Sequence, residues 1–172
     1  MLDEIVDVYS SAYGEVTGED RGVKSSAFRD RATGALDANN YELVAARADG
    51  LIVGFIFGYS LRPEREWWKG LTPEPPVGFA AETGDRTVVL AEIEVRREWQ
   101  GRGVGRALHD AFLGGRSEER GTLAANPAAT STHALYEGWG WVKMGTVPGR
   151  PGSYYPEYVR FVLPLPLQNL PR

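Results

Sequence analysis

The stretch Glu94–Phe112, EVRREWQGRGVGRALHDAF, sets three glycines around Arg102 and Val104, directly ahead of an apolar stripe. From Val104 the apolar residues fall at Val104, Ala107, Leu108, Ala111 and Phe112, the i, i+3, i+4, i+7, i+8 pattern of an amphipathic helix. That spacing predicts a helix over about 103–114, with Gly101, Gly103 and Gly105 in the loop and first turn. Upstream, TVVLAEIEV (Thr87–Val95) reads as a strand that leads into the glycines through Arg96–Gln100. The first N–H groups of a helix have no acceptor within it, and the helix dipole puts partial positive charge there. Glycines let a ligand reach those groups without meeting a Cβ, and a phosphate-bearing ligand is the natural guest. A P-loop would need Gly-Lys-Ser/Thr, whereas Gly105 is followed by Arg106 and Ala107. A dinucleotide fingerprint would need its third glycine at position 106, where Arg106 stands.

Working outward, the chain is 172 residues long, enough for a single domain with its own core and no staples. Hydrophobic residues make up 42% and charged residues 24%, a globular balance. A net charge of −4 argues against nucleic-acid binding, which usually shows a basic excess. The absence of cysteine removes disulfides, a thiolate nucleophile and Cys-ligated zinc, and two histidines, His109 and His133, are too few for a histidine-rich metal site. No metal is expected. No apolar run approaches the roughly 20 residues of a membrane span, and no signal-peptide pattern opens the sequence. A cytoplasmic location away from membranes is therefore expected.

DEIVDVYSSAYG (3–14) carries helical spacing with Gly14 placed to end it, and a weaker helix is expected over Lys24–Leu36. YELVAARADGLIVGFIFGYSL (41–61) reads as two strands joined by Asp49-Gly50, a strong hairpin signal. Gly54 and Gly58 inside the second strand imply that something approaches the backbone closely. Residues 61–86, with four prolines, Trp67 and Trp68, form a long connection, and such loops are often functional. A short strand over Thr122–Ala125, a helix to about Glu137, then WVKMGTV and YVRFVL complete the chain, the last stopped by Pro164 and Pro166. The order implies one mixed α/β (α+β) domain over 1–172.

Gln100-Gly101-Arg102-Gly103-Val104-Gly105 resembles the Q/R-x-x-G-x-G/A signature of the GNAT superfamily of acyl-CoA-dependent N-acyltransferases. IEVRREW resembles that family's central strand and turn, and ALYEGWGW (134–141) its A-x-Y-x-x-x-G-F/W segment. The likeness spans roughly Tyr41 to Val162 and is most marked toward an actinobacterial-type subgroup. It implies a mostly antiparallel mixed sheet flanked by helices, with a splayed central strand. It also implies acetyl-CoA as co-substrate, its pyrophosphate on the backbone of Gly101, Arg102, Gly103, Val104, Gly105 and Arg106. The pantetheine arm would pair with backbone at Ile93 and Val95, and Gln100 would fix the loop or reach phosphate. Arg106 can add charge to a phosphate or lie solvated.

Acetyl transfer to an amine requires loss of the ammonium proton, a polarised thioester carbonyl and a proton for the departing thiolate. Tyr136 stands where the family commonly places its general acid, and an unperturbed tyrosine, with a pKa of roughly 10, carries a proton at neutral pH. Within AEIEV, Glu92 and Glu94 lie two apart on one face of the strand. A carboxylate in a central strand is costly unless paired, solvated or functional, which makes Glu92 the candidate base and Glu94 a candidate acceptor contact. Where the family often has a cofactor-binding asparagine this chain has Ala129; Asn126 either substitutes or shapes the turn. A usual first strand before the first helix is also absent or very short. His109 reads as packing. Trp67 and Trp68, with Phe79, Tyr154 and Tyr155, read either as the wall of an acceptor pocket or as ordinary core-capping residues, and Glu64, Glu66, Glu92 and Glu94 would favour a cationic acceptor. The acceptor is then a primary amine on a small molecule, a protein or a peptide; the alternative is a non-catalytic acyl-CoA-binding or protein-interaction domain. A homodimer is expected because YVRFVL is a terminal apolar strand that reads as an edge needing cover, and because the resemblance implies dimerisation through this region.

Overall fold

The computed structural model describes residues 1–12 and 18–168, so Gly14 lies outside the described residues. Element order is α1 (Leu2–Ala12), α2 (Gly18–Ala35), β1 (Glu42–Ala48), β2 (Leu51–Ser60), β3 (Thr87–Val95), α3 (Val104–Gly114), β4 (Arg120–Ala125), α4 (Thr130–Gly138), β5 (Val142–Pro148) and β6 (Glu157–Pro164). The strands form one mixed sheet in the order β1-β2-β3-β4-β6-β5. Pairs β1/β2, β4/β6 and β5/β6 are antiparallel, and β3/β4 is parallel. Arg96 N–H donates to Val53 C=O and Leu61 N–H to Thr87 C=O. Those two bonds run in opposite order along the chain, which makes β2 and β3 antiparallel. The chain divides into two compact units, one of Met1–Tyr59 with Leu90–Gly115, the other of Ser60–Val89 with the chain from Arg116 onward.

In the first unit, Asp49 (φ 48°) and Gly50 (φ 81°) both take the left-handed conformation that a tight hairpin of matching twist requires. Phe55 and Phe57 of β2 join Ile5, Val8 and Tyr9 of α1 and Phe28, Ala32 and Ala35 of α2 in one buried cluster. Tyr9 and Phe28 stack at 4.3 Å and 9° at its centre. The close approach expected at Gly54 is that of α3: a Cβ there would sit 3.0 Å from Leu108 Cδ1 and 3.3 Å from Val104 Cγ1. Helix α2 starts six residues before the pattern's expected Lys24, at Gly18.

In the second unit, β4 runs beside β6 over its whole length, and β6 lies between β4 and β5. YVRFVL is thus an interior segment, which corrects its reading as an edge. The edge is β5, and part of the long connection covers it. Thr72 and Thr146 exchange both backbone hydrogen bonds at 2.9 Å. Gly145 (φ 148°) makes room for that crossing, since a Cβ would collide with the Thr72 carbonyl. Gly145→Ala is therefore expected to destabilise the protein by about 1–3 kcal/mol, read as a lower thermal midpoint. An unchanged midpoint would show that the Thr72 crossing contributes nothing.

Candidate active site

Leaving β3, the chain is pinned by Arg96, whose guanidinium donates to the Ile52 carbonyl at 2.8 Å and to Asp7 at 2.5 Å. A 3₁₀ turn over Arg97–Trp99 follows, closed by Trp99 N–H to Arg96 C=O at 2.8 Å. The Gln100 amide turns back and donates to the Val95 carbonyl at 3.0 Å. Of its two expected roles, Gln100 performs the first: it fixes the loop, and does so by occupying one of the backbone oxygens at the end of β3. Gly101 (φ 71°) and Gly103 (φ 82°) then take left-handed conformations, where any other residue would be strained.

Gly103 is the N-cap of α3 and brings no side-chain cap, and the first turn carries no acidic residue to compete for its amides. A Cβ at Gly101 or Gly103 would meet no protein atom within 4 Å, so the space over the loop is open. Val104 and Gly105 form the half-buried first turn. Arg102 lies over the Trp99 ring at 5.3 Å, and Arg106 donates through Nε to both Asp110 oxygens at 2.9 and 3.0 Å. These features fit a phosphate-bearing group: bare amides, positive dipole and an arginine at the rim.

β3 itself is half-paired. Among the described residues its register with β4 covers only Thr87↔Arg120, Val88↔Gly121 and Val89↔Thr122. Leu90–Val95 continue past the end of that ladder, and Ile93 and Val95 lie in this segment. Glu92 lies there too, its side chain 18% exposed, and takes two hydrogen bonds on Oε1 from Arg31 of α2, at 3.1 and 2.9 Å. Burial pushes the Glu92 carboxyl above the usual carboxylate range, against the opposing pull of Arg31. Glu94, two residues on, is half-buried.

In the second unit Tyr136 is buried in α4, its ring 6.0 to 6.2 Å from those of Trp139, Trp141 and Phe161. Ala129 caps α4 without a side chain to do it. Asn126 Oδ1 accepts from the Ala128 N–H at 3.0 Å, so its side chain shapes the turn into α4. Trp68, expected at a pocket wall, is instead a core residue, 5% exposed, with its indole N–H on Glu82 at 2.8 Å. Arg120 lies over Trp68 and Phe79 and pairs with Glu82 at 2.8 Å. Trp67 is half-buried, donates to Thr122 at 3.0 Å and carries Arg160 3.8 Å above its ring. Both tryptophans brace the long connection. Sequence reading missed their arginine partners, which lie far along the chain.

The model of the acetyltransferase (GNAT) family matches residues 2–141. The chain belongs to the GNAT acetyltransferase family. Solved structures with the same fold include a Pyrococcus horikoshii OT3 protein, 24% identical, covering 98% of this chain and 91% of that one at a TM-score of 0.62. A second, described as histone acetyltransferase HPA2 and related acetyltransferase from Corynebacterium glutamicum, is 22% identical, with 98% and 93% covered and a TM-score of 0.63. A ribosomal-protein-alanine N-acetyltransferase from Brucella melitensis is 16% identical, with 95% and 94% covered and a TM-score of 0.58. No curated protein matches the sequence. No helix among the described residues is long and apolar enough to cross a membrane.

Helix α3 also holds His109, fully buried, its Nδ1 2.9 Å from Asp110. Burial pushes the imidazole below its ordinary value, against the opposing effect of Asp110. The unfolded chain therefore binds more protons below roughly pH 6.5, and stability should fall as pH drops through that window. Urea unfolding at pH 7 and pH 5 should show this loss, and His109→Gln should flatten it. An equal loss in His109→Gln would assign the pH dependence elsewhere.

Proposed function

We propose that this GNAT protein is an acetyl-CoA-dependent N-acetyltransferase that acetylates a primary amine by direct attack. The observation that carries the proposal is the sequence of a half-paired β3, a left-handed Gly103 and an uncapped α3 in one continuous segment. The backbone of Gly101–Arg106 would hold the pyrophosphate. The main chain of Ile93 and Val95, past the end of the β3–β4 ladder, would receive the extended pantetheine arm as a strand would. Asn126 is left to the turn rather than to the cofactor. When bound, acetyl-CoA supplies an acyl group activated as a thioester.

The chain's own groups then manage two protons. Glu92 accepts one from the acceptor's ammonium, directly or through a water, which frees the nitrogen lone pair for attack on the carbonyl carbon. Burial raises its carboxyl above the usual carboxylate range, which suits it to this task. Tyr136 gives its hydroxyl proton to the sulfur as the carbon–sulfur bond breaks; the second nitrogen proton, lost as the amide forms, returns to the tyrosine oxygen through water, and Glu94 adds negative charge that favours a cationic acceptor. The acceptor is an amine of a small molecule or of a protein or peptide, and Trp67 contributes to its surroundings by holding the long connection in place.

A screen of amines monitored by thiol release tests the proposal, and no turnover with any amine would leave only a non-catalytic acyl-CoA binder. With an active acceptor, Glu92→Gln should lower kcat by roughly 10²-fold, most severely at low pH where the amine is protonated. Tyr136→Phe keeps the ring, so acetyl-CoA affinity should hold while turnover falls by a similar roughly 10²-fold. Unchanged turnover in either variant would remove that residue from the mechanism.

A further inference from the structure

The chain pairs arginine with carboxylate in two different ways, and the difference bears on Glu92. Arg116 spreads its fork across Glu118, Nε to Oε2 at 3.1 Å and Nη2 to Oε1 at 2.5 Å, and Ser60 adds a third bond at 2.7 Å. Burial works to raise that carboxyl, but Arg116 and Ser60 outweigh it and hold it below the usual range. Such a fork across both oxygens is the tight, structural form of the pair. Arg31 instead converges Nε and Nη2 on a single oxygen of Glu92, Oε1, so that Oε2 takes neither bond.

The guanidinium that does this is firmly placed. It lies over the Tyr9 ring at 5.9 Å and over the Phe28 ring at 5.8 Å, the two rings that stack at the centre of the first unit's core. Three elements therefore meet at the carboxylate. Tyr9 comes from α1, Arg31 from α2, and Glu94 follows on β3; burial foremost, with the two strand carboxylates adding to it, pushes the Tyr9 hydroxyl above its ordinary value. The partner of Glu92 was not legible from the sequence, because Arg31 and Glu92 are 61 residues apart.

We infer that Arg31 is a positioning residue for Glu92: it holds Oε1, aims Oε2 at the proton to be removed, and keeps the carboxylate in its proton-accepting form. The inference rests on the reading of Glu92 as the base. Burial favours the protonated form of a carboxyl, which accepts nothing, and a cation beside it favours the ionised form. Arg31, with its side chain 51% exposed, offsets part of that burial while leaving the carboxylate more basic than a fully forked pair such as Glu118.

The test uses the full chain with Arg31→Met, which retains an apolar shaft over the two rings, and Arg31→Lys, which retains charge without the fork. The first readout is a carbon-13 titration of the glutamate carboxyls, with Glu92 identified as the signal lost in Glu92→Gln. Arg31→Met should move its midpoint to higher pH, and Arg31→Lys should fall between Arg31→Met and the parent. The second readout is the acid limb of kcat/KM against pH, which should move the same way. At pH 7 this gives a loss of roughly 10-fold that alkaline pH restores. An unmoved midpoint in Arg31→Met, with Glu92→Gln still impaired, overturns the role of Arg31 and leaves the base standing. Full turnover in Glu92→Gln overturns the base itself, whatever the titration shows.

Discussion

Among the described residues the ladder between β3 and β4 holds three residue pairs, and most of what is distinctive in the chain follows from where that ladder stops. Backbone N–H and C=O groups that leave a ladder must find partners in water, in side chains or in a ligand. At Val95 one carbonyl is met by the Gln100 amide, which also turns the chain toward the glycines. At Arg96 the main chain returns to β2 and the side chain anchors on α1. A strand end held this firmly sets the position of Gly101 and Gly103, and hence of the first amides of α3. A ligand with an extended arm and a phosphate at one end matches both features in the order in which the chain presents them.

Buried charge is handled consistently. Glu82, Glu92 and Glu118 are each paired with an arginine. In two cases the guanidinium also lies over aromatic rings, Arg31 on Tyr9 and Phe28, Arg120 on Trp68 and Phe79. Arginine suits these places because its planar group stacks and donates at once. Glu82 gathers Trp68, Thr87 and Arg120 on one oxygen and so fastens the long connection to the start of β3 and β4. Removing either partner of such a pair would leave a buried charge alone, so these pairs fix geometry even where their net contribution to stability is small.

Local chemistry made much of this legible. Asp49-Gly50 announced the hairpin through its need for positive φ, TVVLAEIEV gave β3 to the residue, and the glycines with the stripe behind them gave α3. What escaped depends on long-range contact. α2 is largely polar, with only Phe28, Ala32 and Ala35 among its described side chains buried in the core, so periodicity understated its length. YVRFVL and WVKMGTV look alike as apolar strands, and nothing within either says which pairs on both sides. Trp67 and Trp68 could be read as pocket walls because Arg160, Arg120, Glu82 and Thr122 could not be seen to converge on them.

The central claim is that open, glycine-lined amides at the start of α3 hold the phosphates of coenzyme A. Calorimetric titration of acetyl-CoA into the parent protein and into Gly103→Glu tests it most directly, with circular dichroism to confirm that the variant folds. A side chain and a negative charge placed over those amides should weaken binding by roughly 10²-fold or more, since about 3 kcal/mol of lost contact corresponds to that factor. Binding of equal strength in a folded Gly103→Glu would contradict the account.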